Sequence, residues 1–495
     1  MKNYVIILLL CIFSSNSYAQ EVSYSKAIKL TNKTPKFKIL GRNAKYFIAE
    51  RWGEKFHYLD LYSSNLRKIS TKEFKIEADE ALKKIWIQPK QGWVLYTKSV
   101  KDFTYINARQ MDVNLNVKTT PLVLDSILER KDYVQNNFRT TQSLNEKYLA
   151  IYLPIFSKGS LDYFLVSVYD ENMNQIQKLK LNTDFVKQGT FVELLVLNNG
   201  AVAAVFLEKN SNNKFEIYFS DEETKFKTFT LNLDNQVFKK LKFEVDNLNN
   251  TLLIAGLNLY QDNKRLVAAD AFFTLKMNLE TGEISNKTVE VFTNEFYKLL
   301  TENDSKTEKV YLQTFYIKTI LPRVDGGFLV FAESYYENEE VFEVPQSNGL
   351  SGGGTSMMIG QTSFSPSTYK TNYYFYNDVI VYTLDKDLKI ESVNIIKKRQ
   401  KSQEDNGGYS SFNIVNQQNM LEVLFLDEIS TNSSLKRYTL NKDSEIFKDY
   451  ILNVGQNDVM PVVKLAVQTA PNEILVPSYL NNSFSIIKII FEDNK

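Results

Sequence analysis

An eightfold repeat constrains the fold of this chain more than any single motif does. Eight turn-like stretches, rich in Asn, Gly, Asp or Pro, each lead into a run rich in Val, Ile, Leu, Phe and Tyr. The first group of residues forms tight hairpin turns and the second group forms buried strands. In chain order the stretches are GRNAKYFIAERW (41–52), PKQGWVLYTK (89–98), LNEKYLAIYLP (144–154), NNGAVAAVFLE (198–208), NLNNTLLIAGL (247–257), VDGGFLVFAES (324–334), NQQNMLEVLFLD (416–427) and APNEILVPSYL (470–480).

Further strand candidates surround each run. One precedes it, as KIWIQP (84–89) precedes the second run, and another follows it. A second polar turn and a fourth strand usually come next, as in YFLVSVYDENMNQIQKLKL (163–181). Each unit is therefore predicted to be a four-stranded antiparallel meander. The runs begin 47 to 93 residues apart, and most of these spacings lie close to the length of a propeller blade, about 40 to 50 residues.

The two longest spacings have visible causes. Residues 293–306 (TNEFYKLLTENDSK) predict a short helix inserted between two units. Residues 337–372 are Glu-rich and then Gly/Ser/Thr-rich, and they interrupt the sixth unit between its second and third strands. We interpret this segment as a long, low-complexity loop, which in a compact domain is typically either functional or disordered.

The ends of the chain predict that the units close into a ring. The last unit stops after its third strand, FSIIKIIF (484–491), while an unassigned strand, VSYSKAIKL (22–30), lies near the N-terminus. Pairing the two would complete the last blade and remove exposed strand edges. We therefore predict an all-β fold, a single β-propeller over residues 20–495 with four-stranded antiparallel blades. The count is eight, or seven if one unit is degenerate, and an open sandwich or two smaller propellers are the alternatives.

Residues 1–19 have the three parts of a secretory signal peptide. Lys2 supplies a positive charge, residues 5–13 (VIILLLCIF) are apolar but too short to span a bilayer, and Ser17 and Ala19 provide small residues before a cleavage site. The mature protein is predicted to begin at Gln20 and to reach the periplasm, the cell surface or the exterior. Cys11, the single cysteine, would leave with this segment, although a weaker alternative makes it a lipoprotein anchor.

The overall charge excludes some partners. A formal net charge of +1 gives no electrostatic basis for gripping nucleic acid or anionic lipid. No later apolar stretch approaches the roughly 20 residues of a membrane-spanning helix. We therefore expect no nucleic-acid partner and no integral membrane segment after cleavage of the signal peptide.

Two patterns that suggest metal sites have simpler interpretations. Asp112, Asp170 and Asp385 each open a series of alternating acidic and amide residues, but the glycine and the terminal glutamate of a calcium loop are missing. We predict that these aspartates cap hairpin turns. His57 is the single histidine, so a multi-histidine site is excluded and a structural role is predicted. No metal, cofactor or catalytic residue is assigned.

Acidic residues provide the first candidate site. Glu50, Glu208, Glu333 and Asp427 lie near the ends of four second strands, and those ends open on one face of a propeller. Four acids on one face could bind a cation or supply an acid/base pair for glycoside chemistry. The alternative is that charges simply accumulate where strands reach solvent.

Basic and aromatic residues provide the second and third candidates. Lys398 and Arg399, with Lys397 and Lys401, lie between the sixth and seventh units, where they could recognise an anionic group or form a solvated loop between blades. Tyrosines flank the 337–372 insertion, and they could stack on sugar rings, contact a protein or form the two faces of a hairpin stem. The tyrosines assigned to the candidate site are Tyr335, Tyr336 and Tyr374.

Residues 326–413 resemble a group of secreted proteins from Bacteroidetes whose function is not established. The matching elements are GGFLVFAESYY (326–336), TNYYFYNDVIVYTLDKD (371–387), KKRQ (397–400) and GGYSSF (407–412). The resemblance implies a propeller-like β domain and an envelope or extracellular address, and it implies no activity.

Together these features predict an exported, non-catalytic binding or scaffold protein of the bacterial envelope. Its partner would be an envelope protein or a glycan, contacted on one face of the propeller. The alternative is a carboxylate-dependent carbohydrate-active enzyme, either a glycoside hydrolase or a lyase. The single histidine and the lack of a recognisable catalytic sequence box favour the binding protein.

Overall fold

The computed structural model describes residues 20–491 with short gaps. The gaps are residues 33–34, 55, 129–137, 158–159, 212, 222–224, 234–237, 263–264, 302–311, 313, 344–367 and 419. The predicted signal peptide (1–19) and the centre of the predicted loop (344–367) lie outside the described residues.

The described strands form eight antiparallel sheets, which we call blades 1 to 8. Two short strands come first, β1 (Gln20–Tyr24) and β2 (Ile28–Lys29). Blade 1 contains β3 (Lys36–Arg42), β4 (Phe47–Trp52), β5 (Phe56–Tyr62) and β6 (Lys68–Lys75). Blade 2 contains β7 (Glu80–Ile87), β8 (Gly92–Val100), β9 (Phe103–Met111) and β10 (Leu122–Leu128). Blade 3 contains β11 (Arg139–Gln142), β12 (Leu149–Ser157), β13 (Ser160–Tyr169) and β14 (Gln175–Leu181). Blade 4 contains β15 (Thr190–Val196), β16 (Val202–Leu207), β17 (Lys214–Ser220) and β18 (Lys227–Asn232).

The second half of the chain follows the same plan. Blade 5 contains β19 (Phe238–Asp246), β20 (Thr251–Asp262), β21 (Arg265–Asn278) and β22 (Ile284–Val291). Blade 6 contains β23 (Phe315–Pro322), β24 (Phe328–Glu343), β25 (Thr368–Leu384) and β26 (Ile390–Ile396), and β27 (Gln400–Gln403) also pairs with β25. Blade 7 contains β28 (Asn413–Asn416), β29 (Met420–Leu426), β30 (Ser434–Asn441) and β31 (Ile446–Asn453). The final strands are β32 (Val467–Ala470), β33 (Glu473–Leu480) and β34 (Ser483–Phe491).

The eighth blade joins the two ends of the chain. Its strand order is β32, β33, β34 and β1, so an N-terminal strand completes a C-terminal sheet. Val22 lies opposite Ile489 in this pairing, and β2 adds a further contact with β34. The predicted closure of an eight-bladed propeller is therefore confirmed. All eight predicted second strands are present, each beginning within one residue of the predicted start.

Eight apolar clusters, one between each pair of neighbouring blades, hold the ring together. The cluster between blades 1 and 2 and the cluster between blades 7 and 8 illustrate the rule. The cluster that unites blade 8 with blade 1 packs Leu475 and Phe484 against Ile39 and Phe47. Because every blade shares a core with both neighbours, the alternatives of an open sandwich or two separate propellers are wrong. This packing also explains why second strands are continuously apolar, since both faces are buried.

The first strand of each blade lies nearest the axis. β3 contacts both β7 and β32, while β15 contacts β11 and β19, so first strands adjoin one another around the ring. In six blades the pairing of first and second strands contains a register shift. Such bulges increase local twist and redirect a side chain. One of them lies at Lys318 in blade 6, between Ile317 and Thr319.

An aspartate opens the turn between the third and fourth strands of blades 2, 3 and 6. Asp112, Asp170 and Asp385 each accept hydrogen bonds from the backbone N–H groups two and four residues later, at 2.8 to 2.9 Å. These bonds are the turn caps predicted from the sequence, and that prediction is confirmed.

The same turns place a buried apolar residue in a left-handed backbone conformation. Leu115, Met173 and Leu388 have φ values of 65°, 62° and 67° and are at most 4% exposed. A left-handed non-glycine residue costs roughly 1–2 kcal/mol, whereas burying a Leu or Met side chain contributes roughly 1.5–3 kcal/mol. The burial therefore offsets the backbone cost, because each side chain fills a cluster between two blades.

Helices are short in this structure. Helix α1 (Asp184–Gln188) links blades 3 and 4, and helix α2 (Asn294–Thr301) links blades 5 and 6 within the segment predicted to be helical. Two 3₁₀ turns, Gly455–Asn457 and Val463–Leu465, link blades 7 and 8. Across the part of the chain that the structure describes, no helix is long and apolar enough to cross a bilayer.

Candidate functional site

A cleft of about 760 Å³ lies between blades 6 and 7. Four of the residues predicted to bind a ligand line it: Tyr336, Lys398, Arg399 and Asp427. Six basic side chains and three acidic side chains surround it, so it carries excess positive charge although the whole chain has a formal charge of only +1. Concentrated charge of one sign in a concave site attracts ligands of the opposite sign.

The segment between the two blades determines how the basic side chains are presented. Residues 396–403 alternate strictly between buried and exposed positions, as an extended strand does. Residues 400–403 pair with β25, so the interpretation of this segment as a solvated loop is incomplete. Alternation directs Lys397, Arg399 and Lys401 outward. We call these three residues the basic ladder.

Lys398 anchors the ladder from below. Its side chain is completely buried, and its ammonium lies 2.7 Å from Glu333 Oε1. It also donates hydrogen bonds to the Tyr376 carbonyl oxygen at 3.1 Å and to Gln400 Oε1 at 2.9 Å. An ammonium group has three N–H bonds, so these partners satisfy the whole donor capacity of Lys398.

Glu333 extends the network toward the axis of the propeller. Its Oε2 atom accepts a hydrogen bond from the Ser411 hydroxyl at 2.6 Å and lies 3.5 Å from the Lys318 ammonium. Lys318 also donates to Ser411 Oγ and, at 2.8 Å, to the Phe412 carbonyl oxygen. Because Lys318 belongs to the bulged first strand β23, the floor of the cleft is coupled to the innermost layer of blade 6.

Burial sets the ionisation of the two lysines. Removal from water lowers the pKa of Lys398 to about 8, with the Glu333 carboxylate opposing the shift. The pKa of Lys318 is lowered for the same reason, again against the pull of Glu333. The Lys398 pKa still lies above neutral pH, so Lys398 remains mainly charged there. Lys398 therefore adds positive charge beneath the cleft, beside the Glu333 carboxylate.

Gln400 joins the ladder to blade 7. Its Nε2 atom donates to the Leu426 carbonyl oxygen at 2.7 Å, and its Oε1 atom also accepts from the Ser411 N–H at 2.7 Å. The turn that precedes Ser411 packs against Tyr376, where Gly407 has a φ of 62° and a Cβ atom would lie 2.5 Å from the tyrosine ring. Only glycine combines this backbone conformation with such close packing.

The cations around the cleft differ in whether they are neutralised. Lys397 lies 3.5 Å from Asp378, and Lys436 forms an ion pair with Asp427. Among the described residues, Arg399, Lys401 and Lys448 have no carboxylate partner. Lys401 instead lies over aromatic rings, 4.0 Å from the Tyr373 centroid and 5.5 Å from the Phe375 centroid. Three positive groups are thus available to an anionic ligand.

The long hairpin formed by β24 and β25 divides the predicted tyrosines between its two faces. Tyr336 stacks on Phe375 with centroids 4.6 Å apart and an interplanar angle of 8°, and both line the cleft. Tyr335 packs on Tyr376 on the opposite face, because neighbouring residues of a strand point to opposite sides. Tyr374 lies there too, and its hydroxyl donates to Asn406 Oδ1 at 2.9 Å. Tyr335 and Tyr374 are therefore part of the hairpin stem.

The prediction of a loop over residues 337–372 is wrong at both of its ends, which are paired strands of this hairpin. Residues 337–343 continue β24 and residues 368–372 continue β25, with Glu343 opposite Thr368. The centre of the predicted loop lies outside the described residues.

Two predicted acids lie in other blades. Glu50 is buried in blade 1, where its carboxylate lies 2.8 Å from His57 Nδ1 and 2.9 Å from the Lys38 ammonium. His57 stacks on Phe74, with centroids 5.1 Å apart. Glu208 follows β16 in blade 4 and forms a surface ion pair with Lys214 at 2.6 Å. The four acids predicted from the sequence therefore do not meet in one site.

Four separate segments, residues 326–336, 371–387, 397–400 and 407–412, converge at the cleft and its floor. They contribute Glu333, Tyr376, Lys398, Gln400 and Ser411, which are far apart in sequence and linked by the hydrogen bonds described above. Sequence reasoning did not find the contributions of Lys436, Tyr438 and Lys448 from blade 7. Nothing in a four-stranded pattern marks which exterior residue faces a neighbouring blade.

Comparison with known proteins finds distant structural likenesses and no family. No family model matches the chain, and no curated protein matches it. Among solved structures, the chain is similar to one of two prolyl endopeptidases, with 10% identity, 84% of this chain and 55% of that chain covered, and a TM-score of 0.35. It is also similar to the Nup133 β-propeller domain of Vanderwaltozyma polyspora, with 12% identity, 92% and 100% coverage and a TM-score of 0.38. A third similar structure is the polysaccharide lyase Uly1, with 8% identity, 94% and 100% coverage and a TM-score of 0.37.

These likenesses do not bear on activity. The chain spans only about half the length of the prolyl endopeptidase, at 55%. Identity and TM-score are low in each case, and one fold supports many unrelated functions. The chain is a β-propeller, and its function must be argued from its own side chains.

Proposed function

We propose that this protein is an exported, non-catalytic binding module of the bacterial envelope that contacts its partner in the cleft between blades 6 and 7. The observation that carries the proposal is the placement of Arg399, Lys401 and Lys448, cations without a carboxylate partner among the described residues, beside the exposed Tyr336 ring. The signal-peptide pattern of residues 1–19 and the resemblance of residues 326–413 support the envelope address.

A rigid floor suits the cleft to binding. Lys398 and Gln400 are buried and hydrogen-bonded on the inner side of the ladder, so the backbone between them is fixed before a ligand arrives. A pre-organised site loses less conformational entropy on association. Ordering of the backbone therefore subtracts little from the binding free energy that the outward side chains contribute.

The alternative of a carboxylate-dependent carbohydrate-active enzyme has less support. A glycosidase needs two carboxyl groups roughly 5–9 Å apart, one of them able to hold a proton. The predicted acids are instead each engaged by a basic side chain, in the pairs Glu50 with Lys38, Glu208 with Lys214, Glu333 with Lys398, and Asp427 with Lys436. The pKa of Glu50 is lowered, the wrong direction for a general acid, because His57 and Lys38 outweigh the effect of burial.

Binding of envelope glycans to matched variants tests the proposal. We expect the double substitution Arg399→Ala/Lys448→Ala to weaken binding about 30-fold, since each of the two lost charged contacts is worth roughly 1 kcal/mol. The matched control is Lys178→Ala/Lys180→Ala, which removes two lysines from a second cleft of about 640 Å³ on blades 2 and 3. Titration calorimetry with purified capsular and envelope polysaccharides measures both.

The results separate the two functions. Equal affinities for the wild type and both variants would contradict a site between blades 6 and 7. Shortening of the polysaccharide during incubation, measured by size-exclusion chromatography, would support the hydrolase or lyase instead.

A separate measurement tests export. The N-terminal sequence of protein secreted by the host should begin at Gln20, and retention of residues 1–19 would contradict the export proposal.

A further inference from the structure

We infer that the ligand of the cleft between blades 6 and 7 is an acidic polysaccharide, with a carboxylate or sulfate group repeated along its chain. This inference rests on the proposed function and specifies its ligand. It follows from the arrangement of the basic ladder, the position of aromatic rings beside it and the engagement of Asp378 and Asp427, two of the three acids around it.

The ladder places three basic residues at alternate positions of one segment. Lys397, Arg399 and Lys401 occupy alternate positions of one extended segment, and two residues of extended chain span roughly 6.5–7 Å. Arg399 and Lys401 therefore lie in one row with Lys397, and of the three only Lys397 has a carboxylate partner among the described residues, Asp378. A polymer with one anion in each repeat unit can engage such a row at several points, whereas a single small anion can occupy only one.

Aromatic rings lie directly beside these charges. Tyr336 is 37% exposed and is held nearly parallel to Phe375. The Lys401 ammonium lies 5.5 Å from the Phe375 centroid. A ligand that contacts both must combine an apolar, flat face with an anionic group a few ångströms away. A uronic acid or a sulfated sugar has this combination, because the C–H face of the ring packs on an aromatic side chain while the anion projects from its edge.

The opposite wall adds a further cation, so that six basic and three acidic side chains line the cleft. Lys448 reaches the cleft from β31 of blade 7. The two acids nearest the ladder are already occupied, since Asp378 accepts the backbone N–H of Lys398 at 3.0 Å and Asp427 pairs with Lys436. Repulsion of an anionic ligand is therefore reduced on both walls.

Other anionic partners fit the site less well. An acidic peptide can pair with the ladder, but its carboxylates stand on flexible stems and leave the Tyr336 ring unused. A free phosphate group has no apolar face to place on that ring. The near-neutral chain lacks the broad positive surface that nucleic-acid binding requires.

Matched pairs of probes test the ligand class. One pair is oligogalacturonate and its methyl ester, which share a backbone and differ in the carboxylate. A second pair is dextran sulfate and dextran, and poly-glutamate represents an acidic peptide. We expect at least one charged saccharide to bind ten or more times more tightly than its neutral partner and than poly-glutamate, by titration calorimetry at low ionic strength. The pair that responds identifies carboxylate or sulfate as the recognised group.

Substitutions on each element of the site test the geometry. Arg399→Ala/Lys401→Ala should weaken binding of the responsive saccharide about 30-fold or more, as expected for two lost charged contacts. Tyr336→Ala should weaken it about tenfold, while Tyr336→Phe, which keeps the ring, should bind within about twofold of wild type. Far-ultraviolet circular dichroism and thermal unfolding confirm that each variant is folded.

The outcomes distinguish this inference from the proposed function. Tight binding of poly-glutamate that depends on Arg399 and Lys401 would overturn the saccharide inference and leave the cleft a binding site. Equal binding of a charged saccharide and its neutral partner would do the same. No binding of any probe, or binding unaffected by Arg399→Ala/Lys401→Ala, would overturn both.

Discussion

At the scale of single residues, we expect the buried Glu50 carboxylate to contribute more to the free energy of unfolding than a carboxylate in a surface ion pair does. Glu50 is 1% exposed and is held between His57 and Lys38. Burial by itself raises the pKa of Glu50, but the hydrogen bond with His57 and the charge of Lys38 outweigh it and leave the pKa below its ordinary value. The ionised form of Glu50 therefore stabilises the folded state.

Glu50→Gln should destabilise the protein in a pH-dependent manner. At neutral pH we expect a loss of about 2 kcal/mol in the free energy of unfolding, since the variant replaces the buried carboxylate that accepts the contacts of His57 and Lys38. A lowered carboxyl pKa contributes stability above about pH 4.5, and this contribution is lost as the pH falls through the folded-state value. The difference between wild type and variant should thus narrow below about pH 4.5 in urea unfolding.

Glu208→Gln is the matched control. The Glu208 and Lys214 side chains are 37% and 39% exposed, and exposed pairs contribute about 0–1 kcal/mol. The free energy of unfolding of the Glu208→Gln variant should stay within about 1 kcal/mol of the wild-type value, both at neutral pH and below about pH 4.5. Equal effects of the two substitutions would show that the contacts of Glu50 contribute no more to stability than the surface ion pair of Glu208 does.

At the scale of elements, helix α2 attaches to the ring through one face. Leu300 is 1% exposed and belongs to the cluster between blades 5 and 6, whereas the adjacent Leu299 is 61% exposed. Leu300 also lines the cleft, and its carbonyl oxygen accepts a hydrogen bond from Lys397. The helix therefore connects the packing of blade 6 with one end of the basic ladder.

Leu300→Ala should lower the free energy of unfolding by about 2–4 kcal/mol, because it removes buried methyl groups and leaves a cavity. Leu299→Ala, the same chemical change one position away, should alter it by less than about 0.5 kcal/mol. Urea unfolding of the two variants at neutral pH makes the comparison. Similar losses would mean that α2 does not pack as described.

The elements that the sequence predicted share one physical property. Second strands such as Phe47–Trp52 and Val202–Leu207 are buried on both faces, so they show as apolar runs after a turn. The interpretation as a loop between blades fits residues 397–399, which lie between β26 and β27, but it misses β27 because the buried positions Lys398 and Gln400 are polar and satisfied by partners distant in sequence. A pattern of hydrophobic residues cannot reveal a strand of this kind.

The candidate site was predictable only in part, for a related reason. Tyr336 is predicted because it flanks the 337–372 segment, Lys398 and Arg399 because basic residues cluster between two units, and Asp427 because it ends a second strand. The structure brings all four to one cleft. The separation of Tyr335 from Tyr336 follows from strand alternation. Lys448 could not be assigned, because its position depends on how two blades pack and not on the sequence near it.

At the scale of the whole molecule, one strand converts a row of blades into a ring. β1 is the outermost strand of blade 8, and beyond it Ser25 donates its N–H to the Ile486 carbonyl oxygen at 2.9 Å and accepts from the Ile486 N–H through its hydroxyl at 2.8 Å. Predicted cleavage after Ala19 would leave Gln20, the first residue of β1, at the new N-terminus.

Removal of residues 20–30 should open the ring. The truncated protein exposes the edge of β34 and loses the contacts of Leu30 and Val22 with two inter-blade clusters, so we expect a loss of at least about 3 kcal/mol in the free energy of unfolding. A synthetic peptide of residues 20–30 added in trans should restore stability. The same peptide with Ser25→Pro cannot donate the backbone hydrogen bond and should restore less. A truncated protein as stable as the full chain would contradict closure by β1.

The packing of blade 6 against blade 7 produces a cleft with excess positive charge and an aromatic wall on an almost neutral molecule. A crystal structure of the protein with the acidic oligosaccharide that binds most tightly tests this account most directly. We predict an anionic group in contact with the Arg399 guanidinium and a sugar ring packed on Tyr336. A bound oligosaccharide on the propeller axis or on another pair of blades, with the cleft between blades 6 and 7 empty, would contradict it.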